Sequence, residues 1–258
     1  MPPNNEMKCQ TNISGIEKNL AKLTEDDNAG RIFLNKETHT GNISRLRFRS
    51  DNDIVDGIYL ITVFPGSGSH AIVLQISNNG KCFDVFEPNG KKWANNKKFY
   101  KLEVSVGDKV KKITKSLSSK QGGLNNSGIC GIWSIIISIL LNGIAKNIFT
   151  NEDKKLFYDF LNNDKAGAIE FIQDIKTNFF DKTQNFESKT EVKNFLEHIR
   201  DLLRVTIDNQ EKNNITILQP RTSARLSKAA KGGKKSRKSS TSTSKSRTKS
   251  RTKSRRRK

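Results

Sequence analysis

Apolar and polar residues follow each other along this chain in three different rhythms. Ile13, Ile16, Leu20 and Leu23 recur at helical spacing and predict a short amphipathic helix, which Thr24-Glu-Asp-Asp-Asn-Ala-Gly30 stops. Residues 31–57 are mixed and polar and predict no defined order. From Ile58 the rhythm becomes that of strands: Ile58–Phe64, Ala71–Ile76 and Cys82–Glu87 are rich in β-branched and aromatic residues and are separated by turn-forming residues. Phe99–Val106 alternates as a further strand, and Gly107–Lys120 reads as a charged connection. The third rhythm is the run Ile129–Leu141, nearly all apolar, in which Ser134, Ser138 and Asn142 recur every four residues as a small polar stripe. That period predicts a buried helix, and the run is shorter than the roughly 20 apolar residues a membrane span needs. Capping patterns at Thr150–Asp153 and Ser188–Glu191 open helices near 152–162 and 189–205, with another near 165–180. The expected fold class is α+β.

Charge separates one more region. Pro220–Lys258 holds 17 Lys/Arg and no Asp/Glu, so it supplies most of the net charge of +21 and leaves the preceding 219 residues only +4. It includes a Lys-Ser-Arg-Thr repeat and has no large apolar residue after Leu226, so it cannot bury a core and is expected to be disordered in isolation. Repeated cations without interleaved aromatics suit phosphate binding with little base preference, and Lys234, Lys235, Arg237, Lys238, Arg255, Arg256 and Arg257 are the candidate nucleic-acid-binding residues. Cys9, Cys82 and Cys130 are odd in number and widely spaced, which argues against a disulfide framework and against a zinc site, and fits a reducing compartment. The N-terminus shows neither the charged nor the apolar region of a secretory signal.

Candidate chemistry starts at Cys130. Ser127 or Gly128 would cap the buried helix and place Cys130 in its first turn, where unpaired N–H groups and the helix dipole favour a thiolate. A cysteine nucleophile needs a base, and the base needs an orienting group. Of three histidines, His39 lies in the polar N-terminal region and His198 among helical charges, whereas His70 opens a strand. If Asn79-Gly80 forms a two-residue turn, Asn78 pairs with Lys81, His70 falls opposite Asn89, and Glu87 is its diagonal neighbour on the same face. Asp84 falls on the other face. Glu87 therefore accepts from His70, with Asn89 in reserve, and Gln121 together with the Cys130 backbone N–H can serve as oxyanion donors.

Ser69-His70-Ala71, Val85-Phe-Glu87-Pro-Asn-Gly90 and Gln121-Gly-Gly-Leu-Asn-Asn-Ser-Gly-Ile-Cys130-Gly131 together resemble the motifs of the adenain and SUMO-deconjugating cysteine protease clan. The order His, acid, Gln, Cys and the 17 positions from His70 to Glu87 match that pattern. Gln121 stands farther from Cys130 than is usual there, which leaves Asn125 or Asn126 as alternative donors, and Ala71 stands where the family commonly has Trp, a role open to Trp93 or Trp133. The resemblance implies a papain-like fold with a central, mainly antiparallel sheet and the nucleophile at the N-terminus of a buried helix. Residues 1–57 would form a helical and irregular N-terminal segment of the catalytic domain, 58–219 its core, and 220–258 the basic tail. It implies a catalytic set of His70, Glu87, Gln121 and Cys130, no metal or cofactor, and cleavage after Gly-Gly-type sites. With the tail, it implies a maturation protease in the virion of a large DNA virus, or in host cytoplasm or a virus factory during assembly. Its substrates would be viral structural or core precursors and its tether nucleic acid rather than membrane. Removal of ubiquitin-like modifiers, His-Glu-Cys acyl transfer and an inactive DNA-packaging protein are the alternatives.

Overall fold

A computed structural model describes residues 14–25, 29–34, 37–64, 68–90, 100–111, 113, 129–180, 186 and 188–218. The principal elements are α1 (Ser14–Leu23), β1 (Ile32–Leu34), β2 (Thr38–Thr40), β3 (Ile43–Phe48), β4 (Gly57–Val63), β5 (His70–Ser77), β6 (Cys82–Phe86), β7 (Lys101–Val106), β8 (Lys109–Lys111), α2 (Cys130–Ala145), α3 (Asn151–Asn163), α4 (Lys165–Ile175) and α5 (Lys189–Leu218). A π-helical turn, Lys176–Phe180, follows α4. Contacts divide the chain after Asn214, and beyond that point only the end of α5 belongs to the described residues.

The class is mixed α+β, with two four-stranded sheets where one central sheet was expected. The first has the order β1-β4-β5-β6 and the second β2-β3-β7-β8. Each carries one parallel pair, β1 with β4 and β3 with β7, and its other pairs are antiparallel. The extra strands come from residues 31–57 and from the charged connection. β3 does alternate, with Leu46 buried and Arg47 exposed, but β1, β2 and β8 are three residues each, too short for a periodic signal.

The first sheet is covered on both faces, which explains the continuous apolar run in β5. Ile58, Leu60, Val73 and Phe86 pack in the core of α2, whereas Tyr59, Ile61, Val63, Ile72, Leu74, Phe83 and Val85 join Leu46 and Val104 of the second sheet. Helix α2 is buried from Cys130 to Gly143, as a helix apolar on all sides must be. Each buried Ile or Leu on it contributes about 1.5–3 kcal/mol by area removed from water. Two members of its polar stripe find partners, whereas the buried Ser134 hydroxyl has none among the described residues. The Ser138 hydroxyl donates to the Ser134 carbonyl at 2.8 Å. The Asn142 amide donates to the Gly30 carbonyl at 2.7 Å and accepts from Arg200 at 3.1 Å.

Both predicted capping boxes form: Asp153 N–H donates to Thr150 Oγ1 at 3.1 Å and Glu191 N–H to Ser188 Oγ at 3.2 Å, while the Asp153 and Glu191 carboxylates accept from the Thr150 and Ser188 N–H groups. Helix α5 runs beyond the expected end near residue 205 to Leu218: the buried stripe Val192, Phe195, Ile199, Leu203 and Ile207 is followed by polar residues 208–214 that remain helical. Among the described residues no helix is long and apolar enough to cross a membrane.

Candidate active site

The β5–β6 hairpin fixes the first half of the site. Ser77 pairs with Cys82 and Val73 with Phe86, the register expected from the turn. Asn78, Asn79 and Gly80 all have positive φ, at 59°, 53° and 69°, so the loop spans four residues. The carboxylate of Asp56 holds it by accepting from Asn79 N–H at 2.9 Å and Gly80 N–H at 2.8 Å. A four-residue loop preserves the parity of a two-residue one, so every side chain keeps its predicted face.

His70 Nε2 consequently meets Glu87 Oε1 at 2.6 Å, with His70 1% exposed and Glu87 0%. The backbone N–H of Asn89 donates to the same oxygen at 2.8 Å, so the bond Asn89 makes here is to the acid and comes from its main chain. The other carboxylate oxygen accepts the Tyr100 hydroxyl at 2.5 Å. Three donors on two oxygens suit an ionised carboxylate, which accepts at both. Asp84 lies on the opposite face, as the parity requires. There its charge, after burial, helps to push the Tyr158 hydroxyl well above its ordinary value.

Cys130 is the first residue of α2. Its Sγ accepts the Ala71 N–H at 3.5 Å, which places the sulfur beside the residue following His70. The N-cap is Ile129, with no side-chain cap, and not Ser127 or Gly128. The first intrahelical bond runs from Trp133 N–H to the Ile129 carbonyl at 3.1 Å, so the N–H groups of the turn containing Cys130 lie ahead of the helical ladder. Cys130 is 1% exposed and disulfide-bonded, and Cys82 is free and exposed. This corrects the expectation drawn from the cysteine count, because spacing along a chain does not report distance in the fold.

The other histidines stand elsewhere. His39 Nδ1 bonds Ser44 Oγ at 3.0 Å at the edge of the second sheet, and His198 rests on the Phe179 ring at 4.9 Å. Trp133 is fully buried in α2. Gln121, Asn125, Asn126, Trp93 and the basic residues of the tail lie outside the described residues. No group of three or more His, Cys, Asp or Glu among the described residues is arranged to hold a metal ion.

Tyr100 is the participant that sequence reasoning missed. Its signal was the alternation of the strand it precedes: Leu102 and Val104 face inward, so Tyr100 does too, and a buried tyrosine hydroxyl needs a partner. Compared with models of known families, with curated proteins and with solved structures, the chain matches none.

Proposed function

We propose that the protein is a thiol endopeptidase of the adenain and SUMO-deconjugating type, with a papain-like arrangement of helix and sheet. The observation that carries this reading is the buried His70–Glu87 bond on a hairpin whose next residue, Ala71, touches the sulfur of Cys130 at the start of a helix. With Nε2–H donated to Glu87, Nδ1 is the ring nitrogen that takes the proton of Cys130. The thiolate attacks the carbonyl carbon of the scissile bond, and the oxyanion is met by the Cys130 N–H and by Gln121, or by Asn125 or Asn126 in its place. His70 returns the proton to the leaving amine, and water then releases the acyl group from sulfur. Cleavage after Gly-Gly-type sites suits Gly131, which has no side chain to obstruct an approaching backbone. The substrates are structural or core precursors in a virion, and the basic tail keeps the enzyme on nucleic acid.

Because Cys130 is buried and oxidised in the form described, hydrolysis requires a thiol reductant first. The test is to incubate a precursor-protein mixture with reduced wild type and reduced Cys130→Ala and to map new termini. Termini after Gly-Gly pairs that only the wild type produces are the expected result. Identical fragment sets from the two proteins reject the reading. Folded modifier conjugates assayed beside Gly-Gly peptides separate maturation from deconjugation.

The two carboxylates of β6 and its continuation give a sharper test of the assigned face. Glu87→Ala lowers turnover on the order of 10²-fold, since the imidazole loses its orienting group but not its position. Asp84→Ala stays close to wild type. A larger loss from Asp84→Ala than from Glu87→Ala would place the acid on the wrong face.

A further inference from the structure

We propose that Tyr100 is a positioning residue of this site, its hydroxyl holding the Glu87 carboxylate in the orientation that fixes His70. The proposal rests on the protease reading for its kinetic consequences, but its geometry stands apart from that reading. Tyr100 comes from the segment leading into β7, and so from the second sheet, whereas His70 and Glu87 belong to the hairpin of the first. The second sheet thereby supplies a bond to the site of the first. Among the described residues the hydroxyl bonds Glu87 Oε2, and the two ring centres of Tyr100 and His70 stand 6.2 Å apart, so Tyr100 acts through the acid and not on reacting atoms.

Burial first, and then the charge of Glu87 and the bond to it, push the Tyr100 hydroxyl well above its ordinary value. It therefore remains an O–H donor throughout the working pH range. His70 from β5 and Tyr100 are the titratable side chains bonded to Glu87 among the described residues, and Cys130 of α2 lies beside Ala71. Hydrogen bonds to a carboxylate favour its charged form. Phenylalanine at position 100 keeps the shape and removes that donor, so the carboxylate that orients the His70 ring is held by one bond fewer.

The experiment uses the full chain, reduced, as wild type, Tyr100→Phe and Glu87→Gln, with a cooperative unfolding transition of each well above the assay temperature as a folding control. The ring Nε2–H proton of His70, identified by its loss in His70→Ala, is followed by NMR. In the wild type it is a low-field, slowly exchanging signal, and in Tyr100→Phe it moves upfield and broadens toward that of Glu87→Gln. In turnover, Tyr100→Phe lowers kcat about 10- to 100-fold with KM unchanged. An unchanged ring signal, or a raised KM with kcat unchanged, overturns the proposal. If the ring signal changes while the wild type shows no Cys130-dependent turnover, the positioning role stands and the protease reading falls.

Discussion

Alanine at Cys130 or at His70 should lower turnover of the reduced protein on the order of 10⁴- to 10⁶-fold. The expectation follows from the division of labour at the site. Without the sulfur there is no nucleophile, and without the imidazole the thiol keeps its proton and the leaving amine receives none. Residues that act as one unit are not additive, so the double variant should be no worse than either single one. The two changes separate in stability. Cys130→Ala removes one small buried side chain and a 3.5 Å contact with Ala71 N–H, so under reducing conditions its unfolding midpoint should stay near that of the wild type. His70→Ala takes a donor from a carboxylate that is 0% exposed, and a buried charge stripped of a partner is costly, so its midpoint should fall. Parallel turnover and thermal-unfolding measurements check both statements. Turnover surviving in Cys130→Ala would remove the nucleophile from the account altogether.

The parts of this fold that were legible in the sequence share one property: a local pattern decided them. Helix α2 is a long run with a four-residue polar stripe, and a burial that complete admits few alternatives. The hairpin carries Asn79-Gly80, whose positive φ angles set the register, and register in turn sets the faces of His70, Asp84 and Glu87. One residue of slip would have exchanged the roles of the two acids. What the sequence hid depends on contacts between distant segments. β1 earns its place by pairing in parallel with β4, and β3 by pairing in parallel with β7, neither of which a three- to six-residue string announces. Tyr100 reaches Glu87 across 13 positions and from the other sheet. The end of α5 was missed for the opposite reason: the apolar stripe ends at Ile207, but helical hydrogen bonding does not need a buried face to continue.

Nucleic-acid binding by the full chain should collapse with salt, and a chain ended at Leu218 should lose it. The tail carries 17 cations in 39 residues and no acid, in a repeat that offers no aromatic for base stacking. Its cations should therefore engage phosphates, with Lys234, Lys235, Arg237, Lys238 and Arg255–Arg257 as the densest clusters. If roughly 6–10 of them do so, released counterions make affinity fall about 10³- to 10⁵-fold between about 50 and 200 mM salt. Binding should be nearly indifferent to base sequence, because contacts to phosphate carry no sequence information. Cleavage of a short Gly-Gly peptide, in contrast, should survive the truncation, since His70, Glu87, Tyr100 and Cys130 all lie in the unit that ends at Asn214. Titrating labelled duplexes of two unrelated sequences with both chains at several salt concentrations measures all of this together. A truncated chain that binds as tightly as the full one would move the nucleic-acid surface onto the folded unit. A shallow salt slope would mean that few of the cations meet phosphate at all.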